Sequence, residues 1–266
     1  MRKTILLTGA AGVLGRWLRP RLLERYDLRS ADRVDPGPAH NTGETLITAD
    51  IADLGSVERM ARGVDGIIHF GGRSIEDEWE EILHSNIIGC RNLFEAARRQ
   101  GVRRVVFASS NHAIGYHRTS ERLDAGSTIR PDTRYGVSKA FGEAIGSYYA
   151  DKHGLEVACL RIGSALPKPT ARRHLSTWLS YPDLERLVVA CLEAPRLHFA
   201  VVYGASRNTR GWWDNSDAPE IDYRPQDNAE DYAAEILAKQ LPPAPDDPTA
   251  LYQGGPFVAD TVKRSN

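Results

Sequence analysis

Tyr135 and Lys139 stand four positions apart in the sequence and could perform acid–base chemistry together. The surrounding pattern predicts a helix, and residues at positions i and i+4 share one helical face, so the two side chains can reach the same space. A free phenol has a pKa near ~10 and is a poor base at neutral pH. Because a neighbouring cation favours the phenolate, we expect Tyr135 to be a general base whose pKa is lowered by Lys139.

A glycine-rich stretch near the N-terminus has the spacing Gly-x-x-Gly-x-x-Gly. It lies between a short apolar run at residues 5–7 and a helical pattern, and a loop between a strand and a helix presents free N–H groups and the positive end of the helix dipole to a phosphate. The stretch therefore predicts a dinucleotide-binding loop. Its predicted cofactor contacts are Gly9, Gly12, Val13, Leu14 and Gly15.

An acidic residue, Asp32, lies at the end of the second predicted strand. A carboxylate at this position accepts hydrogen bonds from the ribose hydroxyls of the cofactor and repels a 2′-phosphate, which favours NAD over NADP. The neighbouring Arg33 could pair with that phosphate, so acceptance of NADP stays open.

The ends of the next predicted strands supply further candidates. Asp50 and Ile51 follow the third strand, where an acidic and then an apolar residue can bind and cover an adenine. Phe70, Gly71 and Gly72 follow the fourth strand, and its glycines allow the backbone to approach a ligand closely. Ser74 comes next and is predicted to face the cofactor or the substrate.

The fifth predicted strand runs into Ser109, Ser110, Asn111 and His112. A serine at such a strand end can hydrogen-bond a substrate hydroxyl and orient it for proton transfer. His112 could serve as a base by the same logic, but we assign it to substrate contact, because a lone histidine in a loop more often binds or packs.

Apolar strands alternate with amphipathic helices over the first two thirds of the chain. This pattern predicts an α/β fold of the Rossmann type, with a doubly wound parallel sheet covered on both faces. We divide the chain into an NAD-binding core, residues 1–165, and a smaller, less regular substrate-binding region, residues 166–266, packed on that core as one structural unit.

Composition excludes several classes of protein. The 266 residues are 41% apolar and 26% charged with a formal net charge of −1, which fits a globular enzyme and gives no basic excess for nucleic acid. No apolar run is long enough for a membrane span. Three widely spaced cysteines without a Cys-x-x-Cys motif suggest a reducing, cytoplasmic location, and no metal site is expected.

The glycine loop, the serine-containing strand end and the Tyr-x-x-x-Lys pair together resemble the extended short-chain dehydrogenase/reductase superfamily. By that resemblance Ser110, rather than Ser109, joins Tyr135 and Lys139 in catalysis, and Ile162 contacts the cofactor. Asn86 matches an asparagine that helps to hold the active site; a helix-interior residue bonded to backbone is an alternative interpretation of it. The superfamily also suggests a homo-oligomer paired through helices 77–99 and 133–153.

Several longer segments are similar to the bacterial uronate dehydrogenases over nearly the whole chain. These segments are Ser109-Ser110-Asn111-His112, Arg161-Ile162-Gly163-Ser164, Arg173-His174-Leu175-Ser176-Thr177-Trp178 and Gly211-Trp212-Trp213-Asp214-Asn215-Ser216. The resemblance implies an NAD-dependent oxidoreductase that oxidises D-glucuronate or D-galacturonate in ring form at C1 to the aldarolactone.

The same resemblance suggests which residues bind a uronic acid. Arg173 would clamp the carboxylate in bidentate fashion, with Arg172 as a competitor for that role. The residues expected to bind the rest of the sugar are Ser74, Ser110, Asn111, His112, Tyr135 and Ser164. Two alternatives remain: a nucleotide-sugar epimerase or dehydratase of the same superfamily, and a dinucleotide-sensing regulator without catalysis.

Overall fold

The computed structural model describes residues 2–259. Met1 and residues 260–266, the end of the predicted substrate-binding region, lie outside the described residues. The strands within the described part are Thr4–Thr8 (β1), Asp27–Asp32 (β2), Glu44–Thr48 (β3), Gly66–His69 (β4), Arg104–Ser110 (β5), Glu156–Ile162 (β6), Ser164–Ala165 (β7), Trp178–Leu179 (β8) and Phe199–Gly204 (β9).

Helices connect these strands. The α-helices are Val13–Leu22 (α1), Leu54–Ala61 (α2), Trp79–Ile82 (α3), Gly89–Gln100 (α4), Arg134–His153 (α5), His174–Thr177 (α6), Tyr181–Glu193 (α7), Ala233–Lys239 (α8) and Pro248–Leu251 (α9). A π-helical segment spans Leu83–Ile88, and 3₁₀ segments span Asn111–Ile114, Ala229–Tyr232 and Gly255–Ala259.

Seven of the strands form one sheet in the order β3-β2-β1-β4-β5-β6-β9. Every neighbouring pair in this sheet is parallel. The order reverses between β1 and β4, and this is the point where doubly wound sheets open a crevice for a ligand. The short strands β7 and β8 form a separate parallel pair.

Both faces of the sheet are buried. On one face, α1 and α7 pack against the sheet through residues such as Leu18 and Leu187. On the other face, α2, α4 and α5 contribute Val57, Phe94 and Tyr149 to a second apolar cluster. The predicted doubly wound, Rossmann-type α/β fold is therefore confirmed.

The C-terminal third is tied to the core at several points. Its strand β9 pairs with β6 at the edge of the main sheet. A small apolar cluster that includes Leu175, Trp178 and Ile236 joins α6, β8 and α8. None of the helices within residues 2–259 has the length and apolarity needed to cross a membrane.

The prediction of a single helix at residues 77–99 is wrong in one respect. The structure divides it into α3, the π-helical segment and α4. The wider turn contains Asn86, whose amide accepts from Arg73 N at 2.7 Å and donates to Arg73 O at 3.0 Å and to Ser138 Oγ at 2.9 Å. These bonds connect the chain after β4 to α5. Short π-helical segments of this kind often occur near functional sites.

The apolar patterns predict β2 at residues 28–34 and β5 at residues 104–108, and the ends of both strands differ in the structure. β2 ends at Asp32. β5 continues to Ser110, because Ser109 and Ser110 still pair with Arg161 and Ile162 of β6. Ser110 is therefore the last residue of β5 and not a residue that follows the strand.

Candidate active site

A cleft of about 600 Å³ opens at the carboxyl ends of β1, β2, β4, β5 and β6. Most of the residues predicted from the sequence line it. They are Gly9, Gly12, Val13, Leu14, Gly15, Asp32, Asp50, Ile51, Phe70, Gly71, Gly72, Ser74, Ser110, Asn111, His112, Tyr135, Lys139 and Ile162. Asn86, Ser164 and Arg173 are not among the lining residues and lie behind this surface.

The start of α1 forms one end of the cleft. Its N-cap residue, Gly12, provides no side-chain cap, and Val13 at the first helical position is 72% exposed. Gly9 has φ +76°, and a Cβ there would lie 2.5 Å from the Phe70 carbonyl carbon, so a side chain is excluded. Free N–H groups at an uncapped helix start suit a phosphate, so this end can hold the pyrophosphate of a dinucleotide.

Two carboxylates occupy the part of the cleft next to β2 and β3. Asp32 accepts hydrogen bonds from Ala11 N at 2.9 Å and Val34 N at 3.3 Å. Asp50 accepts from Ala52 N at 2.8 Å and contacts His84 Nε2 at 3.0 Å. Burial raises the pKa of Asp50, but these hydrogen bonds outweigh burial and leave its pKa below the usual value.

His84 was not predicted from the sequence, yet it lines the cleft. It lies in the π-helical segment, where the helical register differs from a regular α-helix. A sequence pattern based on 3.6 residues per turn does not place it beside Asp50.

Tyr135, Lys139 and Ser110 meet at the opposite end of the cleft. Lys139 Nζ donates to Ala108 O at 2.7 Å and lies 5.4 Å from the centroid of the Tyr135 ring. Thr133 caps α5 by accepting from Gly136 N at 2.9 Å, so the helix begins immediately before the tyrosine. The structure thus brings the three predicted catalytic side chains together.

The prediction that Lys139 lowers the pKa of Tyr135 is wrong in this structure, because the surrounding protein raises that pKa. Burial raises the pKa of Tyr135 to about 12; the Ser110 hydroxyl opposes this rise and the charge of Asp132 adds to it. Burial also lowers the pKa of Lys139 to about 8. The sequence showed which groups are adjacent, but it did not show that both are buried, and burial disfavours the charged form of each.

Arg173 lies behind the cleft on the far side of Asn111. Its Nη1 donates to Ser164 Oγ at 3.0 Å and to Thr177 Oγ1 at 3.2 Å, and its Nη2 donates to the carbonyl oxygen of Gln253. With the Asn111 amide assigned from its hydrogen bonds, Asn111 Oδ1 accepts from Arg173 Nη2 at 2.9 Å. Hydrogen bonds thus connect Ser164 to Arg173 and Arg173 to Asn111, which lines the cleft.

The environment of Arg173 is unusual for a cation. Burial lowers its pKa to about 10, and attraction to Asp132 opposes that lowering. Its Nε is buried and has no hydrogen-bond partner among residues 2–259. Arg172, by contrast, donates from Nε and Nη2 to Gln240 O at 2.9 and 2.6 Å. Arg173 thus contacts Asn111 of the cleft, whereas Arg172 is bonded to Gln240.

The C-terminal segment contributes residues near the cleft that were not predicted from the sequence as site residues. The chain around Tyr252 pairs with the loop after β5, as shown by the bonds from Gln253 N to His117 O and from Gly254 N to Gly115 O, both 2.8 Å. Phe257 stacks on His112 with ring centroids 3.9 Å apart. The adjacent Gly254 and Gly255 are a sequence feature that could have indicated close packing of this segment.

No group of three or more His, Cys, Asp or Glu side chains within residues 2–259 is arranged to hold a metal ion. The cleft contains an uncapped helix start, the carboxylates of Asp32 and Asp50, and a buried phenol–ammonium pair. This combination suits a dinucleotide beside a hydroxylated small molecule.

Residues 5–180 match the model of the NAD dependent epimerase/dehydratase family. The chain belongs to this family. Within it, the chain is 48% identical to a uronate dehydrogenase from Pseudomonas syringae pv. tomato, over 96% of this chain and 93% of the relative. It is also 48% identical to a uronate dehydrogenase from Agrobacterium fabrum, over 98% of each chain.

Solved structures of the family agree with the fold. A variant of the uronate dehydrogenase from Agrobacterium tumefaciens in complex with NAD superposes with a TM-score of 0.95, at 46% identity over 99% of each chain. The similarity extends beyond the matched residues 5–180 and includes the C-terminal segment.

Proposed function

We propose that the protein oxidises D-glucuronate or D-galacturonate, in ring form, at C1 to the aldarolactone, with NAD as the hydride acceptor. The observation that carries this proposal is the 48% identity to uronate dehydrogenases over nearly the full length of both chains. Arg173, which is partly buried beside Asn111, fits an anionic substrate.

The residues of the cleft fit a dinucleotide. Backbone N–H groups at the start of α1 would hold the pyrophosphate, and Asp32 would accept from the adenosine ribose hydroxyls. Asp50, Ile51 and the backbone at Gly71 would border the adenine and the nicotinamide half. When bound, NAD supplies the nicotinamide carbon that accepts the hydride.

Tyr135 would remove the proton of the C1 hydroxyl while the C1 hydride leaves, so that a C1 carbonyl forms and the ring becomes a lactone. Ser110, fixed at the end of β5, would donate to or accept from the same hydroxyl and orient it. Because burial raises the pKa of Tyr135 to about 12, proton removal requires positive charge nearby. Lys139 provides one such charge 5.4 Å from the ring centroid.

Arg173 would distinguish a uronic acid from a neutral sugar. The Arg173 side chain is partly buried, and a guanidinium with less water around it attracts a carboxylate more strongly than an exposed one. Arg173 donates hydrogen bonds to Asn111 and Ser164. Its positive charge would therefore attract a carboxylate that binds in the cleft beside Asn111. On this proposal residues 1–165 bind the cofactor, and residues 166–266 supply most of the selectivity for the substrate.

The direct test is NADH formation by the purified protein with NAD or NADP and a panel of glucuronate, galacturonate, glucose and galactose. We expect turnover of the uronates with NAD and little turnover of the neutral sugars. Tyr135→Phe should lower kcat by roughly 10²–10⁴-fold while the NAD affinity stays within about twofold. No turnover of any free sugar would refute the proposal and would favour the alternative of a nucleotide-sugar enzyme.

We also propose that the protein is a cytoplasmic homo-oligomer. Its three cysteines are free and buried, as is usual in a reducing compartment. Apolar side chains are exposed along the paired helices, including Trp79, Ile88, Val137 and Tyr148. Light scattering coupled to size exclusion would measure the mass; a monomer at micromolar concentration would refute this assignment.

A further inference from the structure

His112 is held on two sides by residues that have no role in the proposed reaction. Its Nδ1 lies 2.8 Å from Asp132 Oδ2. The Asp132 carboxylate is completely buried, and the His112 side chain is 12% exposed. The Phe257 ring stacks on the imidazole at an interplanar angle of 23°. These two contacts fix both the position and the plane of the ring.

The hydrogen bonds around Asp132 determine which imidazole nitrogen carries the proton. Thr133 Oγ1 accepts from Gly136 N at 2.9 Å, so its own proton is directed to Asp132 Oδ1 at 3.0 Å. An ionised carboxylate only accepts hydrogen bonds, so Asp132 Oδ2 accepts one from the protonated Nδ1 of His112. In a neutral imidazole the other nitrogen, Nε2, is then an acceptor.

His112 Nε2 is available to a ligand. It has no hydrogen-bond partner among residues 2–259, and His112 lines the cleft together with Ser110 and Tyr135. The His112 and Tyr135 ring centroids are 5.8 Å apart, so an acceptor here lies close to the proposed general base. A uronic acid in pyranose form has hydroxyl groups on C1 to C4, and one of them can donate a hydrogen bond to this nitrogen.

The surroundings of Asp132 are shaped for a carboxylate. A Cβ on Gly115 or on Gly254 would lie 1.9 Å from Asp132 Oδ2, so the carboxylate fits between two glycines that come from distant parts of the chain. Asp132 is also close enough to Arg173 for its charge to oppose the lowering of the Arg173 pKa. The C-terminal segment therefore completes the site that holds this residue.

We propose that Asp132 is a positioning residue, which holds His112 in the tautomer whose Nε2 accepts a hydrogen bond from a hydroxyl group of the sugar. This inference rests on the proposed function for the identity of the sugar. It assigns a direction to the predicted contact of His112 with the substrate, from substrate hydroxyl to protein nitrogen, and attributes that direction to Asp132, which does not itself line the cleft.

Steady-state kinetics of Asp132→Asn test the positioning role. The amide keeps the shape of the carboxylate but can also donate to Nδ1, so the tautomer is no longer fixed. We expect the uronate KM to rise about tenfold and kcat to change less than threefold, because the contact exists in both the ground state and the transition state. The NAD affinity should stay unchanged.

A double-mutant cycle separates positioning from a general structural role. His112→Phe keeps the ring stacked on Phe257 and removes the acceptor, so its KM should also rise about tenfold. Asp132→Asn should then have no further effect on KM in the His112→Phe background. Additive losses would overturn the proposal. Asp151→Asn is the matched control, because Asp151 makes the same 2.8 Å contact with His198 on the exposed surface.

Nitrogen-15 NMR of histidine-labelled wild-type protein at pH 8 measures the tautomer without any substrate. The His112 signal is assigned by its loss in His112→Phe. A proton on Nδ1 alone supports the proposal, whereas a proton on Nε2 or on both nitrogens overturns it. Since this readout needs no turnover, it remains decisive even if the protein fails to oxidise uronates, an outcome that would refute only the proposed function.

Discussion

Replacing Lys139 with methionine should stabilise the protein at neutral pH although it removes a proposed catalytic group. Methionine has a similar length and no charge, so it fills the same buried space. The reason for the gain is the pKa of Lys139, which burial lowers from 10.5 to about 8. At pH 7 the ammonium is charged in both the folded and the unfolded state, and only the folded state carries the cost of burying it.

The size of the effect follows from that pKa difference. Each pKa unit corresponds to about 1.4 kcal/mol, so burying the charge costs about 3 kcal/mol below pH 8. Losing the hydrogen bond from Lys139 Nζ to Ala108 O costs about 1 kcal/mol in return. We therefore expect Lys139→Met to raise the free energy of unfolding by about 2 kcal/mol at pH 7.

The same argument fixes how the gain depends on pH. The lowered folded-state pKa means that the unfolded chain binds more protons between about pH 8 and 10.5, so wild-type stability from this group rises over that range. Once the lysine is neutral in both states, the burial cost is gone. The advantage of Lys139→Met should therefore shrink to about zero near pH 10.

Urea unfolding at several pH values between 7 and 10, followed by circular dichroism, would measure the difference. Lys152→Met is the control, because Lys152 lies on the same helix and is exposed; it should show little change and no such pH trend. A Lys139→Met variant that is less stable than wild type at pH 7, with a difference independent of pH, would refute the reasoning.

Two further substitutions test the supports of the site. Glu143→Gln should lower stability by about 3–5 kcal/mol and Tm by roughly 10 °C in a thermal scan, because it leaves the buried Arg161 without its charged partner; an unchanged Tm would contradict this. Gly255→Ala should raise the uronate KM several-fold without weakening NAD binding, because a Cβ there lies 2.4 Å from Arg173 Nε. Gly101→Ala has the same positive φ but open space around it, and equal KM changes in both variants would show that backbone strain alone is responsible.

Much of the cofactor half was predictable from the sequence because its signals are local. A glycine spacing between a strand and a helix specifies a phosphate-binding loop, and the four-residue step from Tyr135 to Lys139 puts both side chains on one helical face. The position of Asp32 was predictable in the same way, because it is the acidic residue at the end of the second strand. Alternating strands and helices likewise determined a parallel sheet, whose carboxyl ends must meet at one edge.

The sugar half depended on tertiary structure. Asp132 and Arg173 are far apart in the sequence. No local pattern predicts that the C-terminal segment contacts both of them, through Gly254 and Gln253 respectively. The π-helical turn that places His84 beside Asp50 is another such case.

The electrostatics of the catalytic pair show the same division. The sequence determined that a phenol and an ammonium are neighbours. Only the folded structure determined that both are removed from water, so that burial raises the Tyr135 pKa and lowers the Lys139 pKa. Adjacency is a property of the local backbone, whereas desolvation depends on every element that packs around the pair.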